Sequence, residues 1–210
     1  MIQLRSTALA LVMTCSISAF AQDAQTVLDA AAARIQKAGC IRAQFKATSF
    51  SGTTPKGETM GSMLIKGSKF QMTTPELTTW FDGKTQWSML REAGEVNITE
   101  PTEEEIDAMN PAAFVNLYKK GYRATLRPSI LRGQKTYEVH LTATKSHLPI
   151  TEIYVDVTQK DHTLLCVRAK QDGNWTRLSI LSFDTDKKAK DSDFQFPSKD
   201  FPNIELIDLR

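Results

Sequence analysis

Between Met63 and Leu90 the chain reads MLIKGSKFQMTTPELTTWFDGKTQWSML, and this stretch limits the fold more than any other. Period-2 alternation cut by Gly, Pro and Asp is the mark of antiparallel hairpins. Lys66-Gly67-Ser68-Lys69 and Asp82-Gly83-Lys84 supply turns, because Gly accepts the positive φ that right-twisting hairpins demand. The alternation predicts one face carrying Leu64, Phe70, Met72, Trp80, Trp87 and Met89. A row of such large, pliable groups is either an ordinary core or the wall of a cavity for something greasy.

The first residues are expected to be a leader. Arg5, the apolar run Ala8 to Met13 and the small-x-small pattern Ala19-Phe20-Ala21 have the order of a secretory signal peptide cleaved after Ala21. The apolar run is too short for a permanent bilayer anchor. Acylation at Cys15 is the competing reading, and Thr14 before it fits that poorly. Residues 22–210 are then one exported domain. The whole chain carries a formal charge of +2 with no basic block, which argues against nucleic acid as partner. Cys40 and Cys166 outlast processing; in an oxidising compartment they form either a disulfide or two buried thiols.

Residues 24–38 predict a helix, capped by Asp23 and ended by Gly39, with Val27, Leu28, Ala31 and Ile35 on its apolar stripe. Ile41 to Thr48 reads as a strand, and Ser49 to Gly61 as a turn region. Thr102 and Glu105 make a capping box for a second helix. Asn110-Pro111 starts a third, holding Phe114, Leu117 and Tyr118. These last two are short, so they need an apolar surface to lie on. From Tyr122 to Phe183 five further strands with hairpin turns imply an antiparallel meander, and Ile204 to Leu209 alternates again.

The chain carries no nucleophile elbow, P-loop or dinucleotide fingerprint, and its three histidines lack ligand spacing. Asp82-Gly83-Lys84-Thr85 is explained as a hairpin, not as a phosphate cradle. The expectation is a non-enzyme with no metal and no cofactor.

Taken in order, several segments resemble the LolA family of periplasmic lipoprotein carriers. They are the N-terminal helix followed by Arg42-Ala43-Gln44-Phe45, then Lys66-Gly67-Ser68-Lys69-Phe70, and Trp80-Phe81-Asp82-Gly83-Lys84-Thr85-Gln86-Trp87. Asn110-Pro111 and Phe194-Gln195-Phe196-Pro197 complete the set. The resemblance implies an α+β fold: a strongly curved antiparallel sheet, an incomplete β-barrel, with an α-helical lid over its concave face. It implies a periplasmic, monomeric chaperone that takes acylated lipoproteins from an inner-membrane lipoprotein-releasing ABC transporter. Release would be to an outer-membrane acceptor or membrane surface. The lining would be Leu64, Phe70, Met72, Trp80, Trp87, Met89, Phe114, Leu117 and Tyr118, with Val27, Leu28, Ala31 and Ile35 on the lid. Where the family has an Arg that latches the lid, this chain has Lys66, which lacks the planar fork of a guanidinium. The competing reading is an envelope lipid- or glycolipid-binding or sensing module of the same fold.

Overall fold

A computed structural model describes residues 16–103, 105, 106 and 114–210, with side chains from Asp23 onward. Helix α1 (Ser16–Ala38) is followed by β1 (Cys40–Ser51), β2 (Thr54–Lys66), β3 (Lys69–Thr73), β4 (Leu77–Phe81), β5 (Gln86–Leu90) and β6 (Glu95–Thr99). A 3-10 helix (Phe114–Lys120) leads into β7 (Tyr122–Leu131), β8 (Gln134–Ala143), β9 (Ile150–Thr158), β10 (Leu164–Gln171) and β11 (Asn174–Thr185). Strand β12 (Glu205–Asp208) closes the sequence of elements.

The twelve strands form one open sheet in the order β12-β6-β5-β4-β3-β2-β1-β11-β10-β9-β8-β7. Two meanders, β1 to β6 and β7 to β11, are thus joined where β1 pairs antiparallel with β11. Strand β12, by contrast, runs parallel to its neighbour, β6. The sheet curls. Gly67 and Ser68 at the β2–β3 turn line the same cleft as Lys120, two residues before β7. Six strand spacings separate β2 from β7, which would be about 29 Å in a flat sheet. The edge strands β12 and β7 do not pair, so the barrel stays incomplete.

Both faces are covered. On the inner face α1 packs against β7, β8 and the 3-10 helix. Ala24, Val27, Leu28 and Ala31 of α1 join Ile41, Phe45, Met63, Ile65, Phe70, Val139, Leu141 and Val155 in the main core. On the outer face the C-terminal segment lies across the first meander. Phe194 packs on Cys40 and Leu64. Phe196, Phe201 and Ile204 pack on Trp80, Met89 and Val96.

Several local expectations change. Helix α1 begins at Ser16, so Asp23 lies within it and caps nothing. Gly39 does end it, in the left-handed region at φ 74°. Ser49 to Gly61 is not a turn region: β1 and β2 pair through most of it and reverse at Gly52-Thr53. Pro55 is tolerated because, among the described residues, that half of β2 pairs with β1 alone, β3 joining from Ser62 onward. The 102–105 capping box forms, with Glu105 Oε2 accepting from Thr102 N at 2.8 Å and Thr102 Oγ1 accepting from Glu105 N at 3.3 Å. Asn110-Pro111 lies outside the described residues.

Cys40 and Cys166 are buried free thiols, not a disulfide. Register explains why. Cys166 stands opposite Ser179, which faces Lys46, six residues along β1 from Cys40. That offset is about 20 Å along the strand, whereas a disulfide needs Cα atoms within about 7 Å.

Candidate functional site

The space between α1 and the inner face of the sheet is the candidate site. Five elements build it. Helix α1 presents Ile35; β1 gives Ile41, Ala43 and Phe45 at alternate positions; β2 gives Met63 and Ile65; β10 and β11 give Leu164, Ile180 and Phe183. These nine residues enclose an entirely apolar void of about 20 Å³. That is room for about one water and not for an acyl chain. The site is therefore closed in this conformation.

Two open clefts flank the void and share its lining. One, of about 750 Å³, shares Leu164, Ile180 and Phe183 and adds Leu165, Leu181 and Asp161. The other, of about 620 Å³, shares Ile35, Ile41 and Ile65 and adds Ile106, Asp29 and Lys119. The void thus lies between the two clefts, sharing three apolar lining residues with each.

Polar contacts anchor α1 at both clefts. Asp29 accepts from the Tyr118 hydroxyl at 2.8 Å and pairs with Lys119 Nζ at 3.0 Å. Arg34 pairs with Asp161 at 3.1 Å, and its guanidinium lies 5.9 Å from the centre of the Phe183 ring. The Tyr118 hydrogen bond, followed by that of Lys119, holds the Asp29 carboxyl below its ordinary range. Thr158, then Thr163 and the Arg34 charge, do the same for Asp161. Both ion pairs are largely exposed, which makes each worth only about 0–1 kcal/mol. Helix α1 is thus held chiefly by its buried stripe, and its polar anchors are weak.

The residues expected along one wall divide between two faces. Phe70 and Met72 belong to the inner core with Phe114, Leu117 and, at its margin, Tyr118. Val27, Leu28, Ala31 and Ile35 face the same core from α1. Leu64, Trp80, Trp87 and Met89 stand on the outer face beneath the C-terminal segment. The pairing of Trp80 with Trp87 and of Gln71 with Trp80 gives these residues the opposite parity to Phe70 and Phe81. Lys66 shares that outer parity and does not reach α1. It pairs with Asp191 at 2.8 Å, and Lys69 adds a second bond at 3.3 Å, so this pair fastens the C-terminal segment. Ile41, Ala43, Phe45, Met63 and Ile65 take the inner wall instead. The alternation Ile41-Ala43-Phe45 is the sequence signal for three of these five.

Asp82 supports its hairpin as a side-chain turn, its Oδ1 accepting from Lys84 N at 3.0 Å and Thr85 N at 2.9 Å. That leaves the Asp82-Gly83-Lys84-Thr85 stretch with a structural explanation.

The open, mostly antiparallel twelve-stranded sheet matches a LolA-like fold. The sequence model of the family described as outer membrane lipoprotein carrier protein LolA matches residues 15–171, and the chain belongs to that family. Similar solved structures include an uncharacterized conserved protein from Thermus thermophilus, 10% identical, with a TM-score of 0.60 over 89% of this chain and 99% of that one. A LolA superfamily protein from Nitrosomonas europaea is 11% identical, with a TM-score of 0.47 over 82% of this chain and 97% of that one. A putative outer membrane lipoprotein-sorting protein domain from Vibrio parahaemolyticus is also 11% identical, with a TM-score of 0.48 over 86% and 99%. At such identities the likeness is one of fold. No curated protein matches the chain. Among the described residues no helix is long and apolar enough to cross a membrane.

Proposed function

We propose that this protein is a periplasmic carrier that shields the acyl chains of lipoproteins between α1 and the inner face of its sheet. The observation carrying this reading is the apolar seam beneath α1, closed to about 20 Å³ and flanked by a cleft on either side. An acyl chain of a dozen carbons is held in a membrane by roughly 10 kcal/mol, so a carrier must offer comparable burial. Ile41, Phe45, Met63, Ile65 and Phe70 with the α1 stripe can supply it once the helix parts from the sheet. Met63 and Met72 add flexible thioethers that adapt to chains of different shape. Weak polar anchors suit a helix that must lift and return.

In this reading residues 1–21 are the leader and residues 22–210 are the carrier. The protein works as a monomer and performs no covalent step. It receives acylated lipoproteins from an inner-membrane lipoprotein-releasing ABC transporter and delivers them to an outer-membrane acceptor or membrane surface. A photocrosslinking residue at Ile35, which lines both the seam and a cleft, tests the cargo. Adducts with acylated lipoproteins are expected from position 35, and not from position 87 on the outer face. Adducts of equal yield from position 87, or none from position 35, would overturn the reading.

A further inference from the structure

The outer face of the second meander carries a second site, separate from the seam under α1. A pocket of about 430 Å³ is lined there by Phe50, Arg127, Tyr154, Arg168, Trp175 and Arg177, with Gly52 and Thr53 of the β1–β2 turn at its rim. Strand register brings the cations together. Arg168 stands directly opposite Arg177 across β10 and β11, an arrangement in which like charges repel. Arg168 is balanced by Glu138, which is 5% exposed and takes one oxygen to Arg127 and the other to Arg168, each at 2.5 Å. Among the described residues Arg177 has no such carboxylate bond; its guanidinium lies over the Phe50 ring at 4.7 Å. Arg168 likewise lies over Tyr154 at 4.5 Å, and His140 stacks on the same ring at 4.2 Å.

Stacking fixes a guanidinium plane without using its N–H edges, and of the two stacked arginines Arg177 is the one whose fork is not engaged by a carboxylate, the form in which arginine binds oxyanions. Three arginines face buried Glu138 and Asp156, the latter 3.8 Å from Arg168, while Glu58, bonded to Lys46, lies within the field of Arg177 without a direct bond to it. Burial pushes the Asp156 carboxyl up, against the pull of Arg168. We infer that this pocket binds the phosphate group of a ligand, with Arg177 as its principal donor and with Arg168 and Arg127, both held by Glu138, adding positive charge beside it. The shared chemistry is the phosphate oxyanion, presented by a lipid headgroup or by a free phosphate compound.

Isothermal titration of the full mature chain with inorganic phosphate, and flotation with vesicles of phosphatidylglycerol or of phosphatidylcholine, separate these sources. Saturable 1:1 phosphate binding assigns a free phosphate compound. Retention on phosphatidylglycerol alone, with no heat from inorganic phosphate, assigns a headgroup. In either case Arg177→Ala is expected to weaken binding at least tenfold and Arg177→Lys to restore part of it. Arg177 is exposed and outside the Glu138 network, so the thermal melt should not move. Binding of neither probe, or equal binding by Arg177→Ala, would overturn the site. Ile35 crosslinks would be unaffected either way, so failure here and failure of the carrier reading are distinct.

Discussion

Gly61 shows how little slack the inner wall has at the level of one residue. A Cβ there would lie 2.4 Å from Phe45 Cζ and 2.7 Å from the Thr73 carbonyl oxygen. The ring can move only into a void of about 20 Å³, and the carbonyl belongs to backbone. Gly61→Val is therefore expected to destabilise the fold by about 1–3 kcal/mol, read as a lower urea midpoint. An unchanged midpoint would mean that β2 yields more easily than its packing indicates. Asp29 and Asp161 give a pH signature at the same scale. Both folded-state pKa values lie below the ordinary aspartate value of 3.8. A group shifted in that direction contributes stability above its unfolded pKa and loses it as pH falls through the lower folded value. The anchoring of α1 should thus be level from about pH 8 to 5 and weaken only below about pH 4. Amide exchange in α1, corrected for intrinsic rate, measures it; a loss between about pH 7 and 5 would contradict the assignment.

Among the elements, α1 and the C-terminal segment cover opposite faces with very different grips. Removing the polar anchors by Asp29→Ala with Arg34→Ala should cost about 0–2 kcal/mol in total and speed lipopeptide exchange more than it lowers stability. Stopped-flow displacement of a fluorescent lipopeptide reads the rate, and an unchanged rate would show that the anchors do not gate α1. Phe194 is fully buried, so Phe194→Ala should cost about 3–5 kcal/mol in chemical denaturation. A cost below about 1 kcal/mol would show that the segment is only loosely applied. The strands were legible in the sequence because their alternation is local. Their facing was not. Met63-Leu64-Ile65 and Trp80-Phe81 are apolar on consecutive residues, which signals a strand buried on both sides. Placing Leu64 and Trp80 on the same face as Phe70 overlooks the parity change at each turn. It also overlooks that Phe194, Phe196 and Phe201 form a second cover, which only tertiary contact reveals.

Over the whole molecule, one sheet serves as two walls. Its inner face keeps an apolar seam under a helix with weak polar anchors, and its outer face is sealed by the C-terminal segment at one end and bears charged and aromatic side chains at the other. In the proposed reading the seam is closed at rest, and an acyl chain enters it by displacing α1. Hydrogen exchange with and without a diacylated lipopeptide measures that displacement directly. Faster exchange across residues 24–38 and slower exchange in β1 and β2 are expected when lipopeptide is bound, with β5 and β6 under the C-terminal segment unchanged. Lipopeptide binding that leaves α1 exchange as it was, or that protects only the C-terminal segment, would contradict it.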